Sequence, residues 1–131
     1  MKAAKPKKTE EKLDSKKSAE ILRIVSANSA FYFFTDLGSQ TDQCSACLTD
    51  FYNTVKNIDA KSLEFHFKRG DFSAWIRETL GDSKLADKID KIDKTAKGED
   101  LRKLLTKTVL TRVSQLKKAQ ASEESVLERS E

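Results

Sequence analysis

An all-α fold, a compact bundle of five or six short helices, is what this sequence predicts, and three observations predict it. Apolar residues recur at helical spacing through most of the chain. The 131 residues include one Pro and four Gly, too few for a loop-rich β architecture, whose turns draw on both. Two Gly-Asp pairs, Gly70-Asp71 and Gly81-Asp82, have the form of a helix stop followed by a helix start. A chain of this length is one domain with a single modest core.

Charge divides the chain into three. Residues 1–17 carry seven Lys against three acids and only one large apolar side chain, Leu13. They read as a disordered basic tail that cannot bury enough surface to order itself. Residues 18–119 read as the single helical domain. Residues 120–131 read as a polar, acidic, partly disordered tail, although Val126 and Leu127 could extend a helix. "MKAAKPKKTEEKLDSKK" has no apolar stretch behind its charges, so the expectation is a cytoplasmic protein with reduced cysteines. No apolar run is long enough for a membrane span.

The elements follow in order. Ser18 is the expected cap of a first helix in which Ile21, Leu22 and Val25 share a stripe. Next comes "FYFF", Phe31–Phe34. A short extended segment near 31–35 suits these aromatics, but no second strand-like run is visible to pair with it, and helical continuation stands equally. Cys44, Cys47, Leu48, Phe51, Tyr52 and Val55 then recur at i, i+3, i+4, i+7, i+8 and i+11. That pattern predicts an amphipathic helix capped by Thr41 or Asp42 and ending near Asn57.

Asp59 is expected to cap a helix that runs to about Arg69 and closes at Gly70. Asp71 would cap "FSAWIRETL", which Gly81 closes. Asp82 would cap "SKLADKIDKID", with Leu85, Ile89 and Ile92 inward. A last helix opens near Gly98 or Glu99 and runs to about Ala119, with Leu101, Leu105, Val109, Val113 and Leu116 on one face.

The set Ser62, His66, Arg69, Asp71, Phe72, Trp75, Ile76, Leu80, Gly81, Asp82, Leu85 and Ala86 resembles a family of small, mainly archaeal helical domains with no established function. "FYFFTDLG" and "ACLTDFYNTV" before it, and "GEDLRKLLTKTVLTRV" after it, are similar to that family's flanking segments. The resemblance spans about residues 30–116. It implies the fold and no catalytic role.

Several constellations could carry chemistry. Cys44-Ser45-Ala46-Cys47 is a C-x-x-C. A redox pair needs a thiolate at a helix start, and in the thioredoxin case a sheet with a cis-Pro beside it; the one proline here is Pro6. Zinc needs four ligands, and the chain has two Cys and one His. Core packing is therefore the leading reading of the cysteines, and no metal or cofactor is expected. "DKIDKIDK" reads as a solvated face rather than a calcium loop, since it lacks the Gly and terminal Glu.

His66 is the one candidate for imidazole acid–base work. It falls at the edge of the stripe formed by Ala60, Leu63 and Phe67, where one nitrogen would be bonded inside and the other would lie near water. A structural role leads. A ligand or partner site around His66, Arg69, Asp71 and Arg77 is the alternative. Arg69-Gly70-Asp71 spells an adhesion tripeptide, but it reads as a helix junction. Trp75 reads as a core anchor rather than a base-stacking platform.

Lys103, Lys107, Arg112, Lys117 and Lys118 decorate the final helix, and Lys2, Lys5, Lys7 and Lys8 the tail. Together they could hold phosphates without reading sequence. No glycine-rich phosphate loop or catalytic triad is present. The expected function is a non-enzymatic protein-binding or adaptor module. A non-specific nucleic-acid or ribosome-associated role is the alternative, and a small ligand-binding domain or enzyme around His66 the second alternative.

Overall fold

The "FYFF" run is one arm of a β-hairpin, and the fold is mixed α/β rather than all-α. The structure, a computed structural model, describes residues 14–130, with side chains described to residue 121. Strand β1, Phe31–Asp36, pairs antiparallel with β2, Ser39–Ser45, around the two-residue turn Leu37-Gly38. Phe31 and Phe33 are buried while Tyr32 between them is exposed, the two-residue period of a strand with one covered face. β2 has no such pattern, because Ser45 is its one buried residue. "SQTDQCS" joins the sheet through its backbone and leaves no apolar alternation to read.

A lone hairpin is marginal in water, and this one is tied down at several points. Thr41 Oγ1 donates to the Phe33 carbonyl at 2.8 Å, Tyr32 Oη to the Ala27 carbonyl at 2.8 Å, and Ser45 Oγ to Thr54 Oγ1 at 3.1 Å. Phe31 and Phe33 enter an aromatic cluster with Phe51, Phe72 and Trp75, ring centroids 4.8–6.2 Å apart. Aromatic pairs at such distances add to the burial of their surface.

Six helices complete the described chain: α1 Ser15–Leu22, α2 Leu48–Asn57, α3 Ala60–Arg69, α4 Asp71–Trp75, α5 Ser83–Asp90 and α6 Gly98–Ser130. α6 is the spine, with α1, α2, α3 and α5 packed on it, while β1 packs on α3. Leu101, Leu105, Val109, Val113 and Leu116 are buried along α6, the face the sequence indicates. Two long-range bonds fix its start. Glu64 of α3 accepts from the Gly98 N–H at 2.7 Å, satisfying a first-turn donor, and Arg102 donates to the Val55 carbonyl at the end of α2, at 2.8 Å.

Three expected helix starts are corrected. α1 begins a turn before Ser18, because Asp14 caps it by accepting from the Lys17 N–H at 2.7 Å; Ser18 is buried inside the helix. α2 begins at Leu48, not at Thr41 or Asp42. The true stripe is Leu48, Phe51 and Val55, and Cys44 matched its spacing while belonging to β2. Asp71 does not cap α4. It is the first helical residue, directly after Gly70, and its side chain makes no cap bond.

The glycine stops themselves are as the sequence indicates. Gly70 and Gly81 have φ of 76° and 85°, the left-handed region where a side chain is strained. Asp59 and Asp82 cap α3 and α5, accepting from the Lys61 and Leu85 N–H groups. Between α4 and Gly81 the chain widens into a π-helical turn, Ile76–Leu80. Arg23 covers its end from α1's side, donating to the Thr79 carbonyl at 2.8 Å. No helix among the described residues is long and apolar enough to cross a membrane.

Candidate functional site

Where α3 ends and α4 begins, the chain turns against β1. Three of the four residues singled out from the sequence meet there. His66 lies in the last turn of α3, Arg69 is that helix's final residue, and Asp71 opens α4. Gly70 reverses the chain between them, so residues five apart in sequence come into hydrogen-bonding distance.

His66 is buried, 4% exposed, with the rings of Phe31, Phe33, Phe34, Phe65 and Phe72 around it. Its Nε2 lies 2.8 Å from the Phe34 backbone nitrogen. That N–H can only donate, so Nε2 accepts and Nδ1 carries the proton. Nδ1–H donates to Asp71 Oδ2 at 2.8 Å. Burial pushes the His66 pKa below its ordinary value of 6.5; the Asp71 hydrogen bond and charge oppose that shift, and the Arg69 charge reinforces it. The imidazole is therefore neutral at pH 7, with both nitrogens engaged. The sequence expectation of one nitrogen near water is corrected: that nitrogen holds the backbone of β1.

Asp71 Oδ2 also accepts from Arg69 Nε at 2.9 Å, and the Arg69 guanidinium lies over the Phe65 ring, 5.0 Å from its centroid. The burial falls off outward along this relay, from an almost fully covered His66 side chain to 28% exposure for Asp71 and 50% for Arg69. Beside it is a pocket of about 400 Å³. Phe31, His66 and Trp75 are its buried lining, Arg69 and Asp71 also line it, and Tyr32 and Leu37 are exposed on it, at 37% and 74%. Trp75 is the core anchor the sequence indicates, its Nε1–H donating to the Ser29 carbonyl at 2.8 Å.

Arg77 is not part of this site. It sits on the π-helical turn and pairs with Asp87 and Asp90 of α5, at 2.8 and 3.2 Å. Ser73, helped by Arg77, lowers the Asp90 carboxyl pKa below its ordinary value. Lys117 and Lys118 are exposed on α6. Lys2, Lys5, Lys7 and Lys8 lie outside the described residues. Arg112, read from sequence as an exposed helix residue, is buried and grips Asp82 with two hydrogen bonds, Nε to Oδ2 at 2.8 Å and Nη2 to Oδ1 at 2.9 Å.

The cysteines are corrected too. Cys44 is exposed on β2 and Cys47, at the N-cap of α2, is half-buried, so neither is a core residue. Among the described residues, no three His, Cys, Asp or Glu side chains gather as a metal-binding set.

Sequence reasoning missed the apolar half of the pocket, Tyr32, Phe34, Leu37 and Phe65. Two signals could have found it. If "FYFF" is a strand with Phe31 and Phe33 inward, Tyr32 and Phe34 face the other way. Phe65, for its part, is an aromatic off the buried stripe of α3, which is Ser62, Leu63, His66 and Phe67.

The model of a family described as a family of unknown function (DUF5752) matches residues 7–109 and, in an overlapping match, residues 68–128. The chain belongs to that family. No curated protein and no solved structure matches it. The matched span takes in the whole site: the hairpin, α3, α4 and the His66–Asp71–Arg69 relay.

Proposed function

We propose that this domain is a non-enzymatic protein-binding module, and that a partner docks at the pocket between the hairpin and α3. One observation carries the reading. The imidazole of the site has both nitrogens bonded within the protein, while the apolar side chains of Tyr32 and Leu37 stand exposed around an open pocket. An imidazole cannot take up or release a substrate proton without giving up one of those bonds. Exposed apolar groups around a concavity are the ordinary mark of a recognition surface. The polar relay then holds the pocket's shape rather than performing chemistry.

The test compares the full chain with Leu37→Asp as bait in an extract of the source cells, with and without nuclease. Leu37 is three-quarters exposed at a turn, so the variant should keep its unfolding free energy in urea to within about 0.5 kcal/mol. The expected result is a protein partner that survives nuclease and is lost with Leu37→Asp. A partner retained by the variant removes the pocket from the account. Partners lost with nuclease instead favour a nucleic-acid-tethered role, using the basic tail with Lys117 and Lys118.

A further inference from the structure

Arg69 is fixed in a way that leaves its useful edge open. A guanidinium has five N–H donors, and its two terminal nitrogens present a pair matched to a carboxylate. Here Nε is engaged with Asp71 and the plane rests on Phe65. Among the described residues, the terminal Nη groups have no hydrogen-bond partner. Asp71 is used asymmetrically as well. Oδ2 takes both His66 and Arg69, while Oδ1 has no hydrogen-bond partner among the described residues. The pocket rim thus offers a prealigned donor pair beside an acceptor, against an apolar wall.

From that juxtaposition we infer that the pocket receives the C-terminal residue of a partner protein, its apolar side chain among Tyr32, Phe34 and Leu37 and its α-carboxylate on the Nη edge of Arg69. Phe65 both lines the pocket and carries the guanidinium, so anion and apolar group have to be close neighbours. In a peptide, the carboxylate nearest to an apolar side chain is the α-carboxylate of the same residue, two bonds from its Cβ. The amide N–H of that residue is then the natural partner for Asp71 Oδ1. The relay explains why an acid sits beside the arginine. Asp71 orients Arg69 through Nε, and His66 orients Asp71, which preorganises the site and lowers the ordering cost of binding. This inference rests on the reading that partners dock at this pocket.

The probes are N-acetyl-L-phenylalanine and its amide, titrated into the full-length ¹⁵N-labelled protein and followed by NMR at the Trp75 indole N–H and the Phe34 amide. The expected result is that the acid binds at least about tenfold more tightly than the amide, as a charge-assisted bidentate contact allows. In Arg69→Gln, that preference should vanish while the amide's weak binding persists. Equal affinity for acid and amide overturns carboxylate recognition and leaves docking at the pocket intact. An acid preference that survives Arg69→Gln overturns the assignment to Arg69. If neither probe moves the two signals, the C-terminal proposal is wrong, and the extract experiment alone then decides whether the pocket binds a partner.

Discussion

Gly70-Asp71 and Gly81-Asp82 are the same dipeptide, each with its glycine left-handed at the end of a helical segment, yet the two aspartates have different tasks. Asp82 takes a non-helical conformation, φ −109° and ψ 82°, and folds its carboxylate back onto the Leu85 N–H. Asp71 is already helical, because α4 begins immediately after Gly70. Its side chain projects away from the helix start and is free to meet His66 and Arg69. One residue of offset between the stop and the next start separates a cap from a site residue.

The arginines differ in the same sense. Arg112 is 7% exposed and Asp82 2%, and their paired hydrogen bonds clamp α6 to the start of α5. Arg69 is half exposed over Phe65 and meets Asp71 through one nitrogen. The second junction is sealed, and the first opens on a pocket. A sealed ion pair is expensive to break, because the surviving charge is stranded out of water; an open one is screened and contributes little to stability.

The largest effect expected from this contrast is at Asp82. Asp82→Asn keeps a side chain able to cap α5 but strands the Arg112 charge, and should cost about 3–5 kcal/mol in urea unfolding. A loss under about 1 kcal/mol would mean that water reaches the pair and the junction is not sealed. Asp71→Asn should cost about 1 kcal/mol, because an amide oxygen can still accept from His66 and the site is partly solvated. A cost comparable to that of Asp82→Asn would erase the distinction between the two junctions.

A finer test uses pH. The folded pKa of His66 is lowered, so below its ordinary value of 6.5 the unfolded chain takes up a proton that the folded chain refuses. The His66 contribution is fully present above that value and is lost as pH falls from there through the folded pKa. Thermal midpoints measured between about pH 7.5 and pH 5.5 should fall more steeply for the wild type than for His66→Gln, whose amide oxygen can accept from Phe34 but does not titrate. Parallel curves would show that His66 is not the group responsible.

How much of this was legible in the sequence varies with the range of each interaction. Gly70, Gly81, Asp59 and Asp82 act within a few residues, and their roles as stops and caps could be read directly. The buried stripe of α6 was equally plain. β2 was not, because a polar strand that buries only Ser45 carries no periodic signal. Without β2, "FYFF" had no visible partner, and the all-α reading followed. Cys44 happened to match a helical stripe that starts later, at Leu48. The pairing of Asp82 with Arg112 and the capping of Thr79 by Arg23 span 30 and 56 residues, beyond what local spacing can show. His66, Arg69 and Asp71 could be nominated together, but their wiring depends on Phe34, 32 residues away.

The most direct test of the contrast removes each arginine in the same way. Arg69→Gln and Arg112→Gln would be compared with the wild type by equilibrium urea unfolding under identical conditions. The expected result is a loss of several kcal/mol for Arg112→Gln, against a change of no more than about 0.5 kcal/mol for Arg69→Gln. Equal losses would contradict the account, making the His66–Asp71–Arg69 relay another structural clamp rather than the rim of a binding site.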